Sequence, residues 1–362
     1  MKILVIQQKM IGDVLTSTIL FEALRQKYPK AELHYLIYRH TFPVVQGNPN
    51  IDKSILFEDR DNRLPRFLGI LNRIRQEGYD LVIDVYAKIG SSIITAWSGA
   101  PQRVSFRKWY TAPAYTTALR PKKHPETKAG LAVENRLLLL SPLGDTHSPG
   151  IKPRIWLNPE EVAEARQRLA DVGVDPQQPL VMCSILGSSQ QKTYPLPYMA
   201  QILDRVHQKT GARLLFNYIP SQKDLARSLL DQCRKETQSA TYFELFGKSL
   251  REFMALTSCC DALIGNEGGA VNMAKALNVP TFSIFSPQIR KQNWSIFEDG
   301  KQNLSVHLED YKPELFQGVS KGELRKKSAS LYELLRPNLI LAELDRFLEL
   351  NIRKQKTDKE QT

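Results

Sequence analysis

One pattern occurs twice in this chain of 362 residues. An apolar, β-rich run is followed by a polar loop that contains glycine, and then by a segment whose apolar residues recur at helical spacing. The pattern begins at Lys2–Ile6 and again at Leu180–Ile185. Each copy is typical of the first strand, loop and helix of a parallel α/β domain. The repetition therefore predicts two such domains in tandem.

Further strand and helix patterns follow both beginnings. In the first half, strands are predicted at Lys2–Ile6, Glu32–Ile37, Lys53–Phe57, Leu81–Val85 and Arg103–Phe106, with helices at Val14–Lys27, Arg66–Glu77 and Ser91–Ser98. In the second half, strands are predicted at Leu180–Ile185, Arg213–Tyr218, Ala262–Gly265 and Thr281–Phe285, with helices at Tyr198–Thr210, Gln222–Lys235, Leu250–Cys259 and Gly269–Leu277. Helical spacing from about Leu331 predicts one or two terminal helices, and the charged residues after Asn351 are expected to fray.

Turn-forming residues concentrate in Ser141–Pro159, which is the predicted linker. We therefore place the domains at residues 1–155 and 156–362. The predicted fold class is α/β, with two Rossmann-like domains facing across a cleft. Ligands of such domains bind at the carboxyl ends of the strands, and this architecture suits a two-substrate transfer.

Composition excludes several classes of protein. Apolar residues make up 42% of the chain and charged residues 24%, as in globular proteins. No uncharged run reaches the roughly 20 apolar residues of a membrane-spanning helix. The apolar run at the amino terminus is too short for a secretory signal, so we expect a cytoplasmic protein. Neither the histidines nor the cysteines have metal-ligand spacing, and the expected state of the four cysteines is free and largely buried; they are Cys183, Cys233, Cys259 and Cys260.

The net charge of +12 is concentrated in residues 60–154, where 16 basic residues face 7 acidic ones. Within this segment, cations alternate with aromatic residues; the cations are Arg103, Arg107, Lys108, Arg120, Lys122, Lys123 and Lys128, and the aromatics are Phe106, Trp109, Tyr110 and Tyr115. This composition favours a membrane interface or a phosphorylated glycolipid. A plain solvated face is an alternative. Single-stranded nucleic acid is another, but no nucleic-acid motif supports it.

Asp13 follows the first predicted strand and lies at the start of the first predicted helix. One interpretation is a helix N-cap, because a carboxylate accepts hydrogen bonds from the unpaired amides of a first turn. The other is a general base that removes a proton from an incoming hydroxyl. Both interpretations place the carboxylate at the carboxyl edge of the sheet.

The loop after the second domain's first strand contains Gly187, Ser188 and Lys192. Small residues let backbone amides approach phosphate oxygens, while a hydroxyl and a lysine add a donor and a positive charge. The Walker spacing is absent, so an ordinary surface lysine is the alternative.

A second candidate phosphate site is Gly265–Asn272, which runs from a strand into a helix through two consecutive glycines. Free amides at a helix start suit a diphosphate, and Glu267 beside them suits sugar hydroxyls. A tight strand-to-helix turn without a ligand is the alternative. The usual dinucleotide motif G-x-G-x-x-G is missing after both first strands, and so is the hydrolase motif G-x-S-x-G.

Together, these segments resemble the heptosyltransferases, the lipopolysaccharide inner-core glycosyltransferases of family 9, which have the GT-B fold. The matching blocks cover most of residues 1–287; they are Lys2–Ile6 with Ile11–Val14, Ala23–Arg25, Tyr28–Pro29, Tyr79–Asp84, Gln102–Phe106, Lys192–Pro195 and Gly247–Thr281. The resemblance implies inverting transfer of heptose from ADP-heptose to a hydroxyl of the lipid A and core acceptor, without a metal ion or other cofactor.

The same resemblance implies roles for individual residues. Asp13 would be the base. Donor contacts would come from Gly187, Ser188, Lys192, Gly247, Lys248, Glu267, Gly268, Gly269 and Asn272. Acceptor contacts would come from Met10, Gly12, Arg103, Arg107 and Arg120. The basic segment would contact the phosphorylated acceptor at the inner face of the cytoplasmic membrane, and no nucleic acid is expected as a partner.

Three positions depart from the family pattern. Glu267 stands where an aspartate is usual, Gly268 where a hydroxyl residue is usual, and Asn272 where a histidine is usual. A different nucleotide sugar, used for a surface polysaccharide, is therefore an alternative function. A non-catalytic binder at the membrane is a further one.

Overall fold

The structure, a computed structural model, describes residues 1–144 and 150–352. The chain divides into two compact units, Met1–Trp156 and Leu157–Thr362. Part of the predicted linker, residues 145–149, and most of the tail predicted to fray, residues 353–362, lie outside the described residues. Within the described ranges, no helix is long and apolar enough to cross a bilayer.

The first unit contains a parallel six-stranded sheet. Its strands are β1 Lys2–Ile6, β2 Glu32–Tyr38, β3 Lys53–Phe57, β4 Leu81–Asp84, β5 Gln102–Phe106 and β6 Thr117–Leu119. The strand order is β3-β2-β1-β4-β5-β6. Central strand β1 pairs with β2 on one side and with β4 on the other, through Ile3↔Leu33 and Ile3↔Leu81. This order is that of a Rossmann-like fold, as predicted.

Helices cover the first unit's sheet, so its central strands are apolar on both faces and Ile3, Leu4, Val5 and Ile6 are fully buried. These helices are α1 Ile11–Ser17, α2 Ile19–Lys27, α3 Leu64–Gln76, α4 Ile89–Trp97 and α5 Leu131–Leu138. Strand β6 and helix α5 were not among the predicted elements. Both are short, which leaves little periodicity for a sequence pattern to detect.

The helix predicted at Val14–Lys27 is two helices, α1 and α2, joined at Thr18. Three consecutive hydroxyl side chains lie at this junction. Thr16 donates to the carbonyl of Gly12, Ser17 to that of Asp13 and Thr18 to that of Leu15, at 2.7–2.8 Å. Hydroxyl bonds of this kind compete with the helical backbone pattern and bend or interrupt a helix.

The second unit contains a parallel five-stranded sheet. Its strands are β7 Leu180–Ser184, β8 Arg213–Phe216, β9 Ala262–Asn266, β10 Thr281–Ile284 and β11 Asn303–Val306. The strand order is β11-β10-β9-β7-β8. Strand β7 pairs with β8 and β9, with Ser184 opposite Gly265. The next strand in the chain, β8, lies on one side of β7, while β9, β10 and β11 lie on the other side. This reversal of strand order makes the second sheet Rossmann-like as well.

The helices of the second unit are α6 Pro159–Asp171, α7 Leu196–Thr210, α8 Lys223–Asp231, α9 Lys235–Ser239, α10 Leu250–Ser258, α11 Gly269–Ala276, α12 Lys291–Trp294, α13 Lys321–Lys326, α14 Ser328–Leu334 and α15 Pro337–Asn351. Helix α6 was not predicted and begins at the end of the predicted linker, where Asn158 donates its backbone N–H to Glu161 at 2.8 Å. The terminal helices α14 and α15 pack on the core, and Phe347 of α15 contacts Phe282 of β10.

Candidate functional site

The carboxyl edge of the first unit's sheet contains the point at which the strand order reverses. Chain connections leave β1 toward β2 on one side, while β4 lies on the other. Ligands of Rossmann-like sheets bind at such a switch point. The β1 connection leads directly into α1, and Asp13 is the third residue of that helix.

Asp13 is held by a buried arginine. Arg136 of α5 donates Nη2 to Asp13 Oδ1 at 2.7 Å and to the Asp13 carbonyl at 3.3 Å. Its Nε donates to Ser17 Oγ at 2.8 Å. The Arg136 side chain is 8% exposed and that of Asp13 is 23% exposed. A guanidinium this buried needs a charged partner, so the ion pair fixes the carboxylate in one orientation.

The other carboxylate oxygen of Asp13, Oδ2, has no hydrogen-bond partner among the described residues. The alternative interpretation of Asp13 as an N-cap is wrong, because the N-cap of α1 is Met10 and no side chain caps that helix. Asp13 therefore presents one restrained oxygen and one that is available to a ligand. Arg136 was not among the predicted site residues, because it lies 123 residues from Asp13 and no local pattern signals the pairing.

A second carboxylate at this edge, Asp84, is fully buried at the end of β4. Its Oδ2 accepts from the hydroxyl of Tyr115 at 2.8 Å, and its Oδ1 accepts from the backbone N–H of Ala87 at 2.9 Å. Burial raises the pKa of Asp84 to about 6, although these hydrogen bonds oppose the shift. Asp84 thus organises the connection from β4 into α4, beside the connection that carries Asp13.

The five predicted acceptor residues are not all brought together. Met10 is exposed and Gly12 is half-buried in the first turn of α1. Arg107 and Arg120 follow β5 and β6 directly and are exposed at the carboxyl edge. Arg103, in contrast, lies near the start of β5, and its guanidinium donates to the carbonyls of Ala100 and Ala114 at 2.6 and 2.9 Å.

In the second unit, the loop after β7 folds back on itself at Gly187. A Cβ atom there would lie 2.3 Å from the carbonyl oxygen of Lys192, so only glycine permits this close approach. The Gly187 N–H donates to Thr193 Oγ1 at 3.1 Å. Ser188 is exposed and Lys192 is half-buried.

Asn266, at the end of β9, holds this loop in place. It is fully buried, accepts from the backbone N–H of Tyr194 at 2.7 Å and donates to the carbonyl of Ser184 at 3.0 Å. Asn266 belongs to the predicted phosphate-site segment Gly265–Asn272, but its role in holding the β7 loop was not predicted. Asn266 therefore links the loop after β7 to the connection after β9, which contains Glu267.

Lys192 and Glu267 interact electrostatically in the second unit. Burial raises the pKa of the Glu267 carboxyl, and the positive charge of Lys192 opposes that shift. The structure therefore brings together the lysine and the carboxyl that sequence analysis chose from two different loops. A half-buried cation and carboxyl can act together on a charged, hydroxyl-rich ligand.

Helix α11 begins immediately after Glu267. Its N-cap is Gly268, whose φ of +155° is rarely adopted by L side chains. No side chain caps the helix, so the amides of the first turn, beginning with Gly269, are left for a ligand. Asn272 is half-buried one turn into the helix.

The remaining two predicted donor residues precede α10, the helix that returns the chain to β9. Gly247 contacts Phe253 so closely that a Cβ atom would lie 2.5 Å from its backbone nitrogen. Lys248 is exposed, and its backbone N–H donates to Glu252 at 3.1 Å. Ser249 accepts from the Glu252 N–H and caps the helix. The Lys248 side chain is therefore free of the hydrogen bonds that shape this turn.

No three His, Cys, Asp or Glu side chains converge to hold a metal ion in residues 1–144 and 150–352. All four cysteines are free, and Cys183, Cys233 and Cys260 are buried. Burial raises the pKa of the Cys183 thiol, so it stays protonated. The cysteines are therefore part of the packed interior and belong to neither candidate site.

Solved structures share this architecture. A glycosyl transferase family 9 protein of Veillonella parvula superposes with a TM-score of 0.71 at 19% sequence identity, covering 95% of this chain and 97% of its own. The E. coli ADP-heptose lps heptosyltransferase II superposes with a TM-score of 0.68 at 15% identity, covering 92% and 99%. The chain therefore has the GT-B fold, which consists of two Rossmann-like units.

Sequence similarity identifies the family of this chain, which the fold alone does not. The family model for glycosyltransferase family 9 (heptosyltransferase) matches residues 68–316. Lipopolysaccharide heptosyltransferase 3 of Escherichia coli is 23% identical over 279 residues, covering 76% of this chain and 80% of the relative. The chain belongs to glycosyltransferase family 9 and is a glycosyltransferase of the heptosyltransferase type.

Proposed function

We propose that this enzyme transfers heptose from ADP-heptose to a hydroxyl of the lipopolysaccharide inner core, with inversion and without a metal ion. The observation that carries the proposal is the Arg136–Asp13 pair, which leaves Asp13 Oδ2 available at the switch point of the first sheet. The similar proteins include a lipopolysaccharide heptosyltransferase and an ADP-heptose lps heptosyltransferase, which supports this choice of substrates.

In the first unit, Asp13 Oδ2 accepts the proton of the acceptor hydroxyl as its oxygen attacks the anomeric carbon. The bond from that oxygen to the anomeric carbon forms while the bond from the carbon to the diphosphate oxygen breaks. A single displacement of this kind inverts the anomeric centre and needs one base. Arg136 keeps the carboxylate oriented through the step. Arg107 and Arg120 provide cations for phosphates of the lipid A and core acceptor.

In the second unit, the leaving diphosphate is stabilised by backbone amides and one cation. The first-turn amides of α11, beginning at Gly269, lie at the positive end of that helix. Lys192 and the Ser188 hydroxyl add a charge and a donor, and Glu267 accepts from heptose hydroxyls. Fixed donors of this kind stabilise the negative charge that develops on the leaving group.

The remaining residues proposed to bind ADP-heptose contact its adenine and its phosphates. Gly247 and Lys248 lie beside the adenine, at the turn that precedes α10. Asn272 donates to a phosphate oxygen from the second turn of α11. The enzyme acts in the cytoplasm, at the inner face of the membrane that holds its acceptor.

A related glycosyltransferase that uses another nucleotide sugar is the second candidate. The observation that favours it is the donor loop, where Glu267, Gly268 and Asn272 all differ from the family pattern. A longer carboxylate and a missing hydroxyl change the groups that face the donor sugar. Calorimetric titration with ADP, UDP and GDP separates the candidates, because heptose transfer from ADP-heptose requires that ADP bind best.

The decisive experiment incubates the protein with ADP-heptose and a series of truncated core acceptors and weighs the products by mass spectrometry. Addition of one heptose to one acceptor is the expected result. Release of ADP without a glycosylated product, or no reaction with any core acceptor, would contradict the proposal and leave a non-catalytic binder as the better description.

A further inference from the structure

Four large apolar side chains are exposed in four different connections at the carboxyl edge of the first unit's sheet. They are Met10 after β1, Leu64 after β3, Ile89 after β4 and Trp109 after β5. Among the described residues, these are the four most exposed large apolar side chains, at 64–89%. We call them the apolar rim. Exposed apolar side chains gathered at one edge mark an interaction surface.

Two helices extend the apolar rim. Leu64 and Leu68 are four residues apart on α3, and Ile89, Ile93 and Trp97 are spaced by four on α4. Residues at this spacing share one helix face, and all five are exposed. Helices α3 and α4 contact each other, so the two exposed faces belong to one region of the unit.

Each residue of the apolar rim is preceded in the sequence by a cation. The four cations are Lys9, Arg63, Lys88 and Lys108. Lys9 pairs with Asp59 at 3.4 Å, and Lys108 donates to the carbonyl of Ala87 at 2.6 Å.

The other two cations, Arg63 and Lys88, are exposed and have no acidic partner among the described residues. Residues 62–76 and 85–100, which contain α3 and α4, include no Asp or Glu. Residues 62–76 and 85–100 therefore combine exposed apolar side chains with charged residues that are all basic, while Asp61 precedes the first range and Glu77 follows it.

We propose that the apolar rim and its flanking cations dock the first unit on the surface of a bilayer with anionic headgroups. Apolar side chains enter the boundary between headgroups and acyl chains, where tryptophan is favoured, while the cations contact headgroup phosphates. The charged side chains of residues 62–76 and 85–100 are all basic, so charge complementarity favours an anionic lipid surface as the occupant.

This inference deepens the proposed function, on which it rests, by identifying the face turned to the membrane that holds the acceptor. Asp13 follows Met10 by three residues, so the base lies at the edge that docks. The sugars of a glycolipid acceptor can then reach the carboxyl edge of the first unit's sheet while its acyl chains stay in the bilayer.

The test measures binding of the full chain to vesicles, in the absence of donor and acceptor. Sedimentation with phosphatidylcholine vesicles containing about 30% phosphatidylglycerol is compared with pure phosphatidylcholine, where much weaker binding is expected because the anionic attraction is missing. Combining Leu64→Ser, Ile89→Ser and Trp109→Ser is expected to lower the affinity for anionic vesicles by at least about tenfold. Arg63→Gln and Lys88→Gln are each expected to lower it about fivefold.

Matched controls come from the second unit. Ile219 and Leu350 are 58% and 57% exposed, and Lys321 and Arg325 are exposed cations. Their replacement by serine and glutamine, respectively, should leave vesicle binding unchanged. Unchanged thermal unfolding and unchanged transfer to a water-soluble, deacylated acceptor show that the triple variant is folded.

Three results would overturn the docking proposal: equal binding of the wild type to neutral and anionic vesicles, full vesicle binding by the triple variant, or loss of a wild-type dimer in that variant without loss of vesicle binding. The last result would make the apolar rim a protein interface. Failure of transfer to the soluble acceptor by the wild type would instead count against the proposed function alone.

Discussion

At the scale of single residues, the first unit uses two carboxyl groups in different ways. Asp13 is partly exposed and held through one oxygen by Arg136, whereas Asp84 is fully buried and accepts two hydrogen bonds from neutral donors. The first arrangement leaves one carboxylate oxygen available to a ligand. The second favours the protonated form and shapes the backbone next to the site.

Asp13→Asn is expected to lower kcat for transfer by about 10²–10⁴-fold, because an amide cannot accept the hydroxyl proton. Binding of ADP should be unchanged, since the donor residues belong to the second unit. Steady-state transfer and calorimetry measure the two quantities. Undiminished turnover in this variant would contradict the role of Asp13 as the base.

Arg136→Lys tests the positioning of Asp13. A lysine keeps the charge but lacks the planar guanidinium whose Nη2 and Nε reach Asp13 and Ser17 separately, so kcat should fall at least about tenfold while KM for the donor stays constant. The matched control is Arg25→Lys, which alters the Arg25–Asp52 ion pair of 2.7 Å in the same unit. Equal losses in both variants would indicate a structural role only.

Asp84 predicts a pH dependence of stability. Its pKa is raised from 3.8 to about 6, so the folded state retains a proton that the unfolded state releases. The contribution of Asp84 to the free energy of unfolding, measured as the difference between the wild type and Asp84→Asn, should therefore decrease as pH rises from about 4 to about 6, by about 3 kcal/mol. Asp84→Asn should remove this decrease. Urea unfolding of both proteins across that range measures it, and identical slopes would contradict the prediction.

At the scale of elements, the residues of the proposed site lie in the connections that follow the strands, and side-chain hydrogen bonds hold these connections in place. Asn266 joins two connections of the second unit, and the hydroxyls of Thr16, Ser17 and Thr18 end α1 early. The short α1 places Asp13 in a first turn where Arg136 reaches it. Local backbone bonds thus set where the reactive side chains lie.

Gly187→Ala is expected to disrupt the loop that carries Lys192, because the new Cβ would meet the Lys192 backbone, which cannot rotate away as a side chain would. We expect a destabilisation on the order of 2 kcal/mol and weaker ADP binding. Gly69→Ala in α3 is the control. A Cβ there meets nothing within 4 Å, and alanine favours a helix. Equal ADP affinity in both variants would contradict the assignment of this loop to the donor.

At the scale of the whole molecule, charge is distributed unevenly. The net charge is +12, yet most of the excess lies in residues 60–154 of the first unit. A concentrated positive field attracts anionic ligands and surfaces, and salt screens it. The acceptor side of the reaction should therefore respond to ionic strength more than the donor side.

Raising the salt concentration from about 0.05 M to about 0.5 M should increase KM for a phosphorylated core acceptor several-fold. The same change should affect kcat little, because Asp13 and Arg136 form a partly buried pair that solvent ions screen weakly. A dephosphorylated acceptor is the control and should show a smaller increase. Equal salt dependence for both acceptors would mean that the cations of this segment do not bind phosphates.

Much of the fold follows from local pattern. The apolar runs predict nine of the strands within a few residues, and the two Rossmann-like units follow from their alternation with helical segments. Short edge strands β6 and β11 and the short helix α5 escape such prediction, because few residues carry their pattern. Helix α6 has 13 residues, but its pattern is weak because only Ala165 and Leu169 are buried. The proposed donor loops at Lys192 and Glu267 could be selected from the sequence because glycines and polar residues after a strand are themselves a local signal.

The sequence alone determined which segments become strands, which loops leave their carboxyl ends, and which family the chain resembles, since each depends on residues near one another in the chain. Only the tertiary structure decided that Arg136 restrains Asp13, that the Arg103 guanidinium bonds to the Ala100 carbonyl near the start of β5, and that four separate connections expose apolar side chains at one edge. These depend on which distant segments the strand order makes neighbours, because a side chain's partner and exposure are set by packing across the sheet.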